Sequence, residues 1–159
     1  MFYVNARAII ERDRGEEKEI LIQIRNKPGE PPVIELPGGR IEPFESITSA
    51  LLREVKEETG LEVTEIEGSD TRIDTGEINP DFVVECIKPF AAYQTVKGPI
   101  DSTGFYFRCR AEGELHIKGD GAEQPEWIGV KEIKKMLQEN PRRFSDVDRA
   151  GIMFYLKQK

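Results

Sequence analysis

Between Pro37-Gly38-Gly39 and Gly60, residues 45–59 contain neither glycine nor proline, and the glycine that follows is a helix stop. One helix is expected there, and its faces constrain the rest of the chain. At about 100° per residue, Phe44, Ile47, Ala50, Leu51 and Val55 fall in one arc that should face a core. Glu54, Glu57 and Glu58 fall in the same arc, whereas Glu45, Ser46, Thr48, Ser49, Leu52, Arg53, Lys56 and Thr59 occupy the opposite one. A desolvated carboxylate must be paired, neutralised or bound to a metal. Two readings follow. The three glutamates lie beyond a sheet edge, hydrated and near Arg53 or Lys56, or they gather a hard, oxygen-loving ion such as Mg²⁺.

The flanks supply the sheet. Phe2–Glu11 and Glu19–Arg25 read as a hairpin around Asp13-Arg14-Gly15-Glu16, and Val33–Leu36 resumes a short strand after the breaker cluster 27–32. Leu61–Ile66, Phe82–Ile87 and Gly104–Ala111 are further strand candidates, while 67–81 reads as loop and 88–103 is ambiguous. A second helix is expected over Val130–Asn140, and Ser145 or Asp146 would cap a third. A chain of 159 residues is one domain, and this order of elements fits an α/β sandwich with a mixed sheet. With 30 acidic against 23 basic residues, a nucleic-acid polymer is an unsuitable partner. Segment 62–86 carries much of that imbalance, with eight acidic residues against Arg72 alone, and 87–111 and 130–159 are net basic. No apolar run approaches the roughly 20 residues of a membrane helix, and a cytosolic protein with no membrane partner is expected. Cys86 and Cys109, without metal-ligand spacing, read as buried reduced thiols. His116 reads as a surface residue and Trp127 as core.

The helix sits inside a longer pattern, Gly39-x5-Glu45-x7-Arg53-Glu54-Val55-x-Glu57-Glu58-x-Gly60-Leu61. Residues 39–61 resemble the Nudix box of MutT-like hydrolases at every specified position. Leu36-Pro37-Gly38-Gly39 before it, and Pro125-Glu126-Trp127 with Val130-Lys131-Glu132-Ile133 after it, are also similar to the family. The resemblance implies a Nudix fold, an α/β/α sandwich with a central mixed sheet. It further implies cleavage of a nucleoside diphosphate linked to another moiety, by attack of water on phosphorus with Mg²⁺ or Mn²⁺ as cofactor.

Site residues follow from the same resemblance. Glu57 and Glu58 map to the principal metal ligands, Glu54 to a further ligand or the general base, and Arg53 to the residue that orients them through Glu45. The Gly38 carbonyl maps to a metal ligand, and Gly38-Gly39 allows close backbone approach to the ion and substrate. Glu123 resembles a downstream carboxylate ligand or base, with Glu126 and Asp120 as competitors. Arg25 resembles a substrate-phosphate contact. Asp148 resembles a base-reading position, although capping of the last helix is as natural a role. The positions that mark the ADP-ribose and dinucleoside-polyphosphate groups fall around Glu77 and Ile78, with Pro80 displaced by about three residues, and Leu36 replaces a Phe found in some purine-directed relatives. A homodimer is possible by family analogy. The alternatives are a non-catalytic nucleotide sensor, which would be expected to lose box glutamates, and an isomerase acting on a prenyl diphosphate, which usually has a degraded box.

Overall fold

A computed structural model describes residues 1–26, 28–116 and 123–158, with the Glu123 side chain outside that description. The elements are β1 (Phe2–Arg14), β2 (Glu17–Arg25), β3 (Val33–Glu35), β4 (Gly38–Arg40), α1 (Ile47–Thr59), β5 (Glu62–Ile66), β6 (Ile73–Asp74), β7 (Glu85–Cys86), β8 (Ala91–Gln94), β9 (Asp101–Glu112), β10 (Glu123–Gly129), α2 (Val130–Glu139) and α3 (Asp146–Lys157). Short 3₁₀ turns occupy Ser69–Thr71 and Pro141–Arg143.

The main sheet runs β10-β2-β1-β9-β5, with β3 on β2, β4 on β1 and β8 on β9. It is mixed because β1 lies parallel to β9 from Phe2↔Asp101 to Ile10↔Cys109, yet antiparallel to β2 and β4. Alternation along the strands sorts the side chains into two cores. Ala6, Ala8 and Ile10 of β1, Leu21 of β2 and Phe107 of β9 pack with Leu51 and Val55 of α1. Ile9, Ile20, Ile22 and Tyr106 point the other way, against Ile133 of α2 and Ile152 and Tyr155 of α3. The three helices thus cover both faces of a mixed sheet, as the resemblance implied.

Several local expectations need correcting. Helix α1 begins at Ile47, because the Ser46 hydroxyl accepts from the Ser49 N–H at 3.0 Å and caps it. Phe44 therefore precedes the helix; its φ of 62° and full exposure remove it from the core. Thr59 is buried instead of solvated, since it lies one turn after Val55, and its hydroxyl donates to the Val55 carbonyl. Of the expected strand Phe82–Ile87 only Glu85–Cys86 forms, paired with β6, and Phe82, Val83 and Val84 are exposed. Cys86 is exposed with it, whereas Cys109 is buried and its thiol is pushed up to about 12 by burial. The ambiguous 88–103 segment contains β8, which pairs antiparallel with β9. Trp127 packs against the α1-side core and carries the Arg12 guanidinium 4.3 Å over its ring.

Candidate functional site

Strand β4 and helix α1 meet where the chain has no side chain to interpose. A Cβ on Gly39 would lie 2.7 Å from the Glu54 carboxylate, and one on Gly38, whose φ is +147°, would lie 2.5 Å from the Ala6 carbonyl oxygen. Glycine at both positions lets β4 bond to β1 on one side and the Glu54 carboxylate approach on the other.

Arg53 organises the acids around this junction. Its Nε and one terminal nitrogen donate to the two Glu45 oxygens at 2.7 and 2.8 Å, a bidentate fork. The other terminal nitrogen donates to Glu54 at 2.9 Å and to Glu57 at 3.4 Å. A further bond, to the Arg40 carbonyl at 3.1 Å, ties α1 to β4. Glu45 also accepts from the Glu42 N–H, and the Arg53 bonds together with this N–H hold its carboxyl far down, at about 2. Arg53 is itself raised above its ordinary value, by Glu45 first, with Glu54 adding to the effect against some loss from desolvation.

The three glutamates do not share one environment. The Glu54 side chain is only 14% exposed, whereas Glu57 is 59% exposed and so does not face the core as the projection suggested. Glu58 is half-buried and accepts from the Gln23 side-chain amide on β2. The buried Gln23 Oε1 has no hydrogen-bond partner among the described residues. His116, half-buried instead of at the surface, sits with Nε2 3.2 Å from the Glu58 carbonyl, at the end of α1. The donors here are carboxylates, the hard oxygen type that Mg²⁺ or Mn²⁺ prefers, and the missing Gly39 side chain lets Glu54 lie against the β4 backbone. Among the described residues no three acidic, His or Cys side chains already converge on one point, so the donor chemistry fits such an ion without a preformed cage.

The other candidates lie outside the Arg53 hydrogen-bond network, although Arg7, the partner of Asp148, still feels the Glu58 charge. Arg25 ends β2 and pairs with Glu35 at 2.9 Å. Backbone pairing sets Glu123, at the start of β10, opposite Arg25; Asp120 lies outside the described residues, and Glu126 is exposed opposite Ile22. Asp148 is fully buried. Its carboxylate accepts from Arg7 Nε at 2.6 Å, from an Arg7 terminal nitrogen at 3.0 Å, from the Leu36 N–H at 2.9 Å and from the Ser145 hydroxyl at 3.1 Å. Capping of α3 falls to Ser145, whose side chain accepts from the Asp148 N–H. Burial alone would depress Arg7, but Asp148 outweighs it and keeps the guanidinium firmly charged. A cleft of about 710 Å³ opens beside this pair and reaches Arg40 of β4.

Two participants were not anticipated. Gln23 was discoverable as the lone amide within the apolar run Ile20–Ile24. Glu85, with a side chain 8% exposed, accepts from the Ile47 N–H at 2.7 Å, the Thr48 hydroxyl at 2.5 Å and Arg72 at 2.7 Å. Burial would raise its carboxyl, yet these donors bring it below the ordinary value, and they fasten the N-terminus of α1 to the 67–88 segment. Nothing near Glu85 in the sequence announces that contact.

Comparison with known proteins agrees with this construction. No curated protein is significantly similar in sequence. Solved structures resemble the chain at low identity: a MutT structure from work on Aliivibrio salmonicida and Vibrio cholerae (TM-score 0.65, 19% identity, all of both chains covered) and the Escherichia coli ORF135 protein (0.64, 21%, 98% of this chain and 89% of that one). A NUDIX-family hydrolase from Clostridium perfringens gives 0.62 at 18% identity, covering 94% and 93%. The NUDIX domain model matches residues 1–147, nearly the whole chain and the entire Gly39–Leu61 unit. The chain therefore belongs to the NUDIX family of hydrolases, enzymes that act on phosphoanhydride bonds.

Proposed function

We propose that this protein is a divalent-metal-dependent pyrophosphohydrolase that cleaves a nucleoside diphosphate linked to another moiety, by attack of water on phosphorus. The observation that carries the reading is the Arg53 fork, which holds Glu45, Glu54 and Glu57 around the glycine-walled junction of β4 and α1. A purely structural helix has no need of Glu54 folded under a glycine beside an arginine that also secures two other acids.

Glu54, Glu57, Glu58 and the Gly38 carbonyl are the residues that would hold Mg²⁺ or Mn²⁺, with Glu123 as a further ligand. When bound, the ion neutralises diphosphate charge and makes water a better nucleophile. The protein's own groups do the rest. Arg53 fixes the direction of Glu54 and supplies positive charge to an otherwise anionic cluster, so that Glu54 keeps a defined orientation for taking a proton from water. Glu45, held ionised by Arg53 and the Glu42 N–H, anchors the fork without being consumed. Gln23 steadies Glu58 from the sheet. Gly39 leaves the backbone close enough to a phosphate oxygen for contact, and Arg25 is the strand-end cation offered to substrate phosphate.

The test is a panel of nucleoside triphosphates, nucleotide sugars, dinucleotides and dinucleoside polyphosphates, assayed with Mg²⁺, with Mn²⁺ and with EDTA. Metal-dependent release of phosphate-containing products from at least one compound is expected. Tight binding of a panel member without turnover in any metal would replace the reading with a nucleotide sensor.

A further inference from the structure

The cleft beside β4 is lined by three carboxylates and three cations, and the hydrolytic cluster does not use the side chains of those cations. Three carboxylates line it, and each has an arginine of its own: Glu35 pairs with Arg25 at 2.9 Å, Asp146 with Arg149 at 3.0 Å, and Asp148 with Arg7 at 2.6 Å. Arg25 and Arg149 reach Glu35 and Asp146 from outside the lining, so besides Arg7 the lining cations are Arg40 and Lys97, and neither has a carboxylate partner among the described residues. Arg40 is held in place with its guanidinium 4.0 Å over the Tyr3 ring, a contact that orients the group without neutralising it. In the cleft wall, the Arg7 side chain is only 13% exposed. Its Nε and one terminal nitrogen are engaged by Asp148 and the Leu36 carbonyl, while the other terminal nitrogen has no hydrogen-bond partner among the described residues. The wall therefore offers donors. Asp148, which accepts four hydrogen bonds from protein groups, has little capacity left to read an N–H on a base.

We infer that this cleft is a subsite for an anionic group on the moiety linked to the diphosphate, with Arg40 and Lys97 as its charge contacts and Arg7 as its buried donor. The substrate class is thereby narrowed to diphosphate conjugates that carry an additional phosphate or carboxylate. This rests on the hydrolase reading for the position of the diphosphate, because Arg40 joins the two places: its carbonyl accepts from Arg53 and its side chain lines the cleft. The 95–100 loop contributes Lys97, in a segment whose composition is net basic.

Matched pairs test the inference, since each differs by a single anionic group: NADP⁺ against NAD⁺, and UDP-glucuronate against UDP-glucose. Affinities are measured by calorimetry in EDTA, so that no turnover occurs, for the wild type and for the Arg40→Gln/Lys97→Gln double variant. Each partly exposed charge contact is worth about two- to fivefold, so the anionic member of at least one pair should bind roughly tenfold tighter. The preference should fall to about twofold or less in the double variant and weaken in high salt. Equal affinities in both pairs, no binding of any probe, or a preference unchanged in the double variant would overturn the subsite. Turnover measured separately with Mg²⁺ keeps the two readings distinct. Hydrolysis without anion preference overturns only the subsite, and anion preference without hydrolysis overturns only the enzyme.

Discussion

Replacing Asp148 with Asn changes almost no volume and removes one charge, so its effect isolates the buried ion pair that links three separate parts of the chain. Arg7 lies on β1, Leu36 just before β4, and Asp148 in the first turn of α3. The side chains are 13% and 1% exposed, so little of the Arg7 guanidinium can turn to water when its partner is lost. An Asn side chain offers one oxygen where four donors converge, and its NH₂ must face either Arg7 or the cluster of Leu36 N–H and Ser145 hydroxyl. Breaking one side of a buried pair costs about 3–5 kcal/mol. Against a total of roughly 8–15 kcal/mol for a domain of this size, that is a third or so of the stability. At about 2–4 °C per kcal/mol, the melting temperature should fall by roughly 6–20 °C. Equilibrium urea unfolding gives the free energy, and the pair Lys56 to Glu62 supplies a control. It is also short, at 2.9 Å, but its side chains are 55% and 68% exposed. Glu62→Gln should therefore cost less than about 1 kcal/mol. An Asp148→Asn loss no larger than that of Glu62→Gln would refute the reasoning, because burial would then not set the value of the pair.

Three further outcomes are expected. Glu45 has a folded carboxyl at about 2 against an ordinary 4.5, so the stability it contributes is complete above about pH 4.5 and is lost as pH falls toward 2. The stability gap between wild type and Glu45→Gln should accordingly narrow from pH 6 to pH 2.5, and a gap that stays constant would contradict the assignment. Gly39→Ala puts a Cβ 2.7 Å from a carboxylate at the end of a flexible side chain, so the fold should survive with a loss of about 1 kcal/mol while the hydrolysis rate falls at least roughly tenfold; unchanged turnover would mean that the position of Glu54 is not critical. With a thiol-reactive dye the native protein should label once, at exposed Cys86, and a second time only after denaturation frees Cys109, whereas two fast native thiols would contradict the burial of Cys109.

The box and the leading strands were legible in the sequence because both are local patterns. Gly39, Glu45, Arg53 and Glu54 lie within sixteen residues, and a helix stopped by Gly60 leaves them few ways to meet. The alternation of Ala6, Ala8 and Ile10 against Ile9 likewise needs only the period of a strand. Projection failed where it ignored helix limits, since Phe44 lies outside the helix that Ser46 caps. Glu57 shows the second failure, because an arc wide enough to include it no longer distinguishes a core face from a rim. Contacts made across long sequence separations left no local trace. Glu85 reaches Ile47, and Asp148 reaches Arg7, only because the topology brings β7 to α1 and α3 to β1. The exposed Phe82-Val83-Val84 run shows the converse, an apolar sequence that predicts a buried strand where no layer among the described residues covers it.

If the glutamates of α1 perform metal-dependent hydrolysis, Glu57 is the one whose loss disturbs the fold least, being 59% exposed and held, among the described residues, only by a 3.4 Å contact to Arg53. The most direct measurement is the rate of product release by Glu57→Gln, with Mg²⁺, on the best substrate of the panel, beside its unfolding curve. A catalytic role for Glu57 requires a native-like unfolding midpoint and a rate lower by at least about a hundredfold. A folded Glu57→Gln protein that turns over at the wild-type rate would contradict it.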